Sequence, residues 1–418
     1  VQPSDIEGAH GVQVVAQLPQ PGQILFPKDA THPSLWYFPA AAFSEGAETR
    51  MWYQRVDKGE KEYSDQRTLC MGILKNETWE TPALADGAAP WGGPNNVVMR
   101  RSPHQPTWGG FNVFQILRED TGYRMLYWDQ PEHGEAGAML AASKDGIHWD
   151  KDPRGAVFTE HNDAFTVLKK DGKYLLYQTI LEDWPDKPVK DNLGKWRRVM
   201  ALRESADLST WTKPAVLLHP DAEDKPDAEF YYLKVFPYAG RYLGLLMKYY
   251  ADPSNPGKHS AIMPTELIVS DDARTWTRPY RATDLGFWSA ADPAPVNGSL
   301  VFFKNKDGAL SLLKYRPFGI TAVKADGQGE FVTQPFSMPA SGLTINADTR
   351  GGWIEVQLLD EDKKPVESAN AQRIAETDGA AIPLRWPAAV MERASGTACR
   401  LRVRMDKSSL YAFGTANG

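Results

Sequence analysis

Three short stretches place an acidic side chain at or just ahead of an apolar strand. They are "EHNDAF" (160–165), "PDAEFYY" (226–232) and "WSAADPAPV" (288–296), and the carboxylates are Asp163, Glu229 and Asp292. A carboxylate at the rim of a buried strand is costly to desolvate unless it is paired or used. Carboxyl groups brought together from separate segments can divide the work of general acid–base catalysis. One gives a proton, another takes one or attacks carbon, and a third orients the substrate or tunes its neighbours. Glu229 is the expected general acid, because its side chain has reach and the following "FYY" would desolvate it. Asp163 is the expected base or nucleophile, and Asp292 the tuning or substrate-orienting carboxylate. The other reading of each is a turn cap, a common use of Asp ahead of a strand.

The same leading segments supply the expected substrate contacts: His161 and Asn162 beside Asp163, Asp227 beside Glu229, and Trp288 ahead of Asp292. Earlier in the chain, "THPSLWYF" offers His32, "GGPNNVVM" offers Asn96, and the loop "YWDQPEHGEAG" offers Asp129. Trp36, Trp91 and Trp108 are further rim candidates, as is Trp288, although packing is the first reading of each. The long segment "LEDWPDKPVKDNLGKWRR" (181–198) could bring Trp184 or Arg197 to a substrate, since loops of that length usually have a function. Its "KWRR" reads as a solvated edge. Glu266, in "MPTELIV", reads as a core position. No His pattern supports zinc, and there is neither a glycine-rich phosphate loop nor a serine nucleophile elbow.

A repeated unit must position these residues. A polar turn followed by an aromatic strand occurs five times: "ETRMWYQRV" (48–56), "TGYRMLYWD" (121–129), "DGKYLLYQTI" (171–180), "GRYLGLLMKYY" (240–250) and "NGSLVFFKNK" (297–306). A short apolar strand precedes each, so each pair makes a hairpin, with "KDGK" and "VNGS" as natural turns. The first four are followed by a third strand: "TLCMGIL", "GAMLAAS", "RVMALRES" and "TELIVSD". Those strands run into turns that end in Trp: "KNETW" (75–79), "SKDGIHW" (143–149), "SADLSTW" (205–211) and "SDDARTW" (270–276). A period of about 50–70 residues fits a propeller blade with inserted loops. A ring of five blades over residues 1–320 is expected, with each Trp in a seam between blades and the acidic stretches at the axis.

Beyond residue 320 the strands alternate more sharply, as in "GWIEVQLLDEDKKPV" and "ACRLRVRMD". A β-sandwich over 321–418 is expected, with one face of each strand buried. The fold class is therefore all-β, a five-bladed β-propeller followed by a C-terminal β-sandwich. The chain has 418 residues, 14 Trp, 16 Tyr and 16 Phe, and a net charge of −6. That charge gives no electrostatic reason to expect nucleic acid or an anionic membrane as a partner. No apolar run reaches the ~20 residues needed to span a bilayer. Two cysteines, Cys70 and Cys399, make no disulfide framework. Nothing in the sequence fixes the oligomeric state.

The Ser-x-Asp-Gly-x-x-Trp turns, the five hairpin units and the trailing sandwich resemble the five-bladed β-propeller glycoside hydrolases of families 32 and 43. "SKDGIHW", "VFPYAGRYLGLL", "INADTRGGWIEVQLLDEDKKPV" and "RLRVRMDKSSLYAF" are most similar to family-32-like proteins of bacterial polysaccharide degraders. The resemblance implies an exo-acting hydrolase of a plant or algal polysaccharide or oligosaccharide, secreted or periplasmic, with a carbohydrate partner. It implies no required cofactor; oxygen ligands at the axis would suit a structural calcium ion. The pattern of family 32 is broken in places. Its Asn-Asp-Pro-Asn carboxylate on the first blade is replaced by "THPSLWYF", with His32, and its Arg-Asp-Pro and Glu-Cys signatures are missing. A non-catalytic carbohydrate-binding propeller is the second expectation. A six-bladed sialidase fits less well, because five hairpins are present and no set of three inner-strand arginines is visible.

Overall fold

The five aromatic hairpins form the cores of five antiparallel sheets in the computed structural model of the chain. The structure describes residues 1–57, 66–75, 77–103, 110–160, 162–255 and 257–415. Blade 1 runs Leu35–Glu45, Glu48–Asp57, Gln66–Lys75 and Thr78–Glu80, with Val97–Arg100 also paired to the third strand. Blade 2 runs Asn112–Glu119, Gly122–Asp129, Gly137–Ser143 and Asp150–Lys151. Blade 3 runs Phe165–Lys170, Lys173–Asp183, Trp196–Ser205 and Ala215–Leu218. Blade 4 runs Glu229–Tyr238, Arg241–Tyr249 and Thr265–Ser270. Blade 5 runs Ala294–Val296, Ser299–Lys306 and Ala309–Tyr315, and its fourth strand is Gln20–Phe26 from the start of the chain. That pairing closes the ring, because it completes the last blade with a strand from the start of the propeller. The hairpin turns have the expected local cause: Asp171–Gly172 and Asn297–Gly298 each hold two consecutive positive φ angles, as tight two-residue hairpins require.

The Trp turns lock neighbouring blades together. In the first, Ser143 Oγ accepts the Gly146 N–H at 2.8 Å, and Asp145 Oδ1 accepts the N–H groups of Ile147 and His148 at 2.8 and 2.9 Å. The same bonds recur around Ser205 and Asp207, and the carboxylate pair recurs at Asp272, which accepts the N–H groups of Arg274 and Thr275. Hydrogen bonds from Thr210 and Ser209 hold the Asp207 carboxyl well below the usual carboxylate range. The fourth residue of each turn is left-handed: Gly146, Leu208 and Ala273 all have positive φ. Its carbonyl then faces the preceding blade, where Gly146 O accepts Trp52 Nε1–H at 2.8 Å and Ala273 O accepts the Tyr177 hydroxyl at 2.8 Å. Trp149, Trp211, Trp276 and Trp79 each pack into a core shared by two blades, as expected.

A second compact unit comprises residues 1–19 and 315–418, and the propeller is 20–314. This differs from the expected boundary in its first segment. Ile6–His10 and Gln13–Ala16 pair with Thr321–Thr333, so the chain start joins the C-terminal sheet rather than blade 1. The nine-stranded sheet is centred on Ala398–Gly414 and closes over one apolar core, as a β-sandwich does. In "RLRVRM" Leu401, Val403 and Met405 are buried while Arg404 is exposed, the expected alternation. No helix among the described residues is long and apolar enough to cross a membrane.

Candidate active site at the propeller axis

Blades 2 and 4 are not neighbours in the ring, and neither are blades 2 and 5. Contacts between them therefore cross the axis, and such contacts locate it. Phe114 of blade 2 meets Tyr232 of blade 4 at 5.5 Å between ring centroids. Gln115 of blade 2 accepts a hydrogen bond from Lys234 Nζ of blade 4 at 2.9 Å. Its amide Nε2 lies 3.4 Å from Asp292 Oδ2 of blade 5. Lys234 Nζ closes the triangle at 3.0 Å from Asp292 Oδ1. A register shift in the inner strand of blade 2 leaves Phe114 without a partner between Val113 and Gln115. That extra residue brings Gln115 onto the same side as Asn112, so one strand presents two amides to the axis.

Asn112 stands at the start of that strand. Its Nδ2–H donates to Asp163 Oδ2 of blade 3, and its Oδ1 accepts from Arg67 Nη1 of blade 1. Asp163 is half-buried, and Lys258 and Tyr231 of blade 4 lie close enough to interact with each other, with Asp163 adding to the field at Lys258. Asp292 is also accessible, with 30% of its side chain exposed, whereas Lys234 is 1% exposed. Burial pulls the Lys234 ammonium below the usual lysine range, against the charge and hydrogen bond of Asp292. Burial and the Asp292 charge push the Tyr232 phenol far up. Aromatic rings line the adjoining wall: Trp36 stacks with Phe38 at 5.9 Å, Phe38 with Trp288 at 6.4 Å, and Trp288 meets Tyr232 at 5.6 Å. Apart from Tyr232 these rings are only partly buried, which suits them to the faces of sugar rings.

Glu229 has a different environment. Its side chain is 1% exposed, and both oxygens are engaged. Lys187 Nζ lies 2.6 Å from Oε1, and Oε2 accepts from Arg198 Nη1 and from the Arg198 N–H, both at 2.9 Å. Asp191 completes the cluster, 2.9 Å from Lys187 and 2.7 Å from Arg198. Burial pushes the Asp191 carboxyl up, but Arg198 and Lys187 outweigh it and hold the group at about 2. Lys187 and Asp191 come from the loop 184–195, so the cluster pins that loop onto blade 4. The "KWRR" stretch is therefore not a solvated edge throughout: Arg198 is buried because its charge is matched twice. Arg197 stacks over Trp184 at 4.3 Å and donates to Ala228 O at 2.9 Å. Glu266 is a core position, with Arg278 Nη2 at 2.7 Å.

The remaining expected contacts are dispersed. His32 Nε2 lies 3.0 Å from Asp57 Oδ2, beside Ser34, whose hydroxyl donates to Asp57 Oδ1 at 2.8 Å. Asn96 is buried in blade 1, donating to Tyr53 Oη and Met71 O at 2.8 Å. Asn162 Oδ1 caps the Ala164 N–H at 2.9 Å and so shapes the turn that presents Asp163. Asp129 is buried at the end of its strand, accepting from the N–H groups of Ser102 and Gln130 at 2.8 and 2.9 Å. Burial raises its carboxyl above the usual range. Asp227 is half-buried near Tyr250, and His161 and Trp108 lie outside the described residues. Among the described residues no group of three or more His, Cys, Asp or Glu side chains is placed to hold a metal ion. The axial oxygens that would suit calcium, Asp292 Oδ1 and Gln115 Oε1, both face the Lys234 ammonium, so these residues do not fit that ion.

No family model and no curated protein matches the sequence. Solved structures do. BT0996, solved as an RGII complex, shares 14% identity at a TM-score of 0.46, over 72% of this protein and 93% of its own length. A glycosyl hydrolase from Bacteroides ovatus shares 15% at 0.45, over 72% and 96%. The Bombyx mori GH32 β-fructofuranosidase BmSUC1 shares 11% at 0.46, over 95% and 94%. At such identities the fold rests on the strand pairing given above: the protein is a five-bladed β-propeller with a sandwich-type second unit, similar in sequence to these proteins only at a distance.

Proposed function

We propose that the protein is a glycoside hydrolase that works from the end of a carbohydrate chain, with Asp163 and Asp292 as its acid–base pair. The observation that carries this reading is the contrast in access among the three leading carboxylates. Asp163 and Asp292 are partly exposed at the axis, each steadied by an amide of one inner strand, while Glu229 has both oxygens engaged in a buried cluster. Glycoside hydrolysis needs two accessible carboxyl groups and a transition state stabilised beside the sugar ring. The aromatic wall of Trp36, Phe38 and Trp288 supplies stacking surface. Action at a chain end is what the resemblance to the propeller hydrolases implies. In this reading Glu229 anchors the 184–195 loop rather than protonating the leaving group. The test is a screen on purified polysaccharides and aryl glycosides, with Asp163→Asn and Asp292→Asn as controls: turnover by wild type and its loss in both variants is the expected result.

A non-catalytic carbohydrate-binding propeller is the second reading. It is favoured by the engaged oxygens of Glu229 and by His32 standing where a first-blade carboxylate is otherwise expected. Tight glycan binding by a wild type that forms no product would select it.

A further inference from the structure

We propose that Lys234 is a positioning residue for Asp292, fixing that carboxylate from the closed side of the axis so that its open side meets the substrate. Its effect on turnover rests on the hydrolase reading; its effect on Asp292 does not. Lys234 sits in mid-strand between Leu233 and Val235, and both neighbours are buried. A buried ammonium persists only with partners of good geometry. It has two, Gln115 Oε1 at 2.9 Å and Asp292 Oδ1 at 3.0 Å.

The donor and acceptor logic fixes the third contact. An ammonium has no lone pair to offer, so the amide of Gln115 must turn its oxygen toward Lys234. That leaves Nε2–H for Asp292 Oδ2, at 3.4 Å. Asp292 is thus approached at both oxygens from blades 2 and 4, while 30% of its side chain faces solvent. The amide can do this only because the extra residue at Phe114 turns Gln115 to the axis. Among the described residues, the titratable groups facing Asp292 are Lys234 and the Tyr232 phenol, and the Tyr232 hydroxyl has no hydrogen-bond partner there, the carboxylate included. A neutral side chain at 234 would leave Asp292 free to rotate and remove the opposite charge beside it.

The experiment compares wild type with Lys234→Met and Gln115→Leu in the full chain. The position of the Asp292 side chain is read from crystal structures of all three proteins, and kcat and KM are measured. In Lys234→Met the Asp292 carboxylate is expected to leave the place in which Oδ1 stands 3.0 Å from Lys234 Nζ, with kcat down at least about tenfold and KM within a few-fold. An Asp292 side chain in the same place in wild type and Lys234→Met would overturn the proposal. A displaced Asp292 in a protein that hydrolyses nothing would support it while removing the hydrolase reading. Should Lys234→Met fail to fold, Gln115→Leu decides: Asp292 still held against Lys234 supports the proposal, and Asp292 displaced with Lys234 in place contradicts it.

Discussion

Glu229 begins the inner strand of blade 4 and Asp292 stands just ahead of that of blade 5, yet they occupy opposite environments. Glu229 is sealed, with Lys187, Arg198 and Asp191 completing a cluster of two cations and two carboxylates. Asp292 has one cation behind it and solvent in front. The same residue chemistry at the same topological position thus serves two ends. The sealed cluster holds a loop, because separating any member leaves an uncompensated buried charge. The open carboxylate keeps an unoccupied side for a reacting atom, a requirement of general acid–base catalysis. Access, rather than position in the repeat, separates the two roles.

The largest effects are expected on the open side. Asp163→Asn and Asp292→Asn should each lower kcat by about a hundredfold or more, the usual contribution of a general acid or base. Thermal melting should stay close to wild type in both. On the sealed side the effect should fall on stability. Glu229→Gln leaves Lys187 and Arg198 with one carboxylate between them and should cost about 3–5 kcal/mol in denaturant unfolding. Its folded fraction should keep turnover within about tenfold of wild type, less than the loss expected of an acid–base residue. If Glu229→Gln instead abolishes turnover at unchanged stability, the sealed carboxylate is the catalytic one.

Two smaller effects sharpen the contrast. Asp191 is held at about 2 in the folded chain, below the ordinary carboxylate value of about 4. A depressed folded pKa contributes stability that is present above the ordinary value and lost as pH falls toward the folded one. Melting temperature should therefore drop between about pH 4 and pH 2, and Asp191→Asn should flatten that part of the curve. Far from the axis, Gly146→Ala places a methyl group 2.5 Å from Trp52 Cζ2 at a positive φ. It should cost about 2 kcal/mol through strain and crowding in the seam, with kcat unchanged.

Much of the propeller is legible in the sequence because its determinants are local. Alternating apolar strands, "DG" and "NG" turns and the Ser-x-Asp turns each act within a few residues. The ring closure is not, because Gln20–Phe26 pairs with a strand almost three hundred residues later and nothing near it marks the partner. The same holds for Ile6–His10, which joins the second unit. At the site, the leading carboxylates could be found from strand starts, but their environments could not. Lys234 interrupts "EFYYLKVF", a signal that a charge is buried, yet its partner Gln115 lies 119 positions away. Arg198 hides in a polar run that looks solvated, because burial of a charge depends on partners that other segments bring. Asn96 and Asp129 have the right residue type for substrate contact and are instead engaged by hydrogen bonds to blade 1 and to the backbone of Ser102 and Gln130.

The most direct test of Asp163 and Asp292 as the acid–base pair is the appearance of new reducing ends, read by NMR of the anomeric protons, when an accepted polysaccharide is incubated with wild type, Asp163→Asn, Asp292→Asn and Glu229→Gln. Product from wild type and Glu229→Gln, with none from either Asp variant, is the predicted result. Glycan binding by all four proteins with no new reducing end from any of them would contradict it.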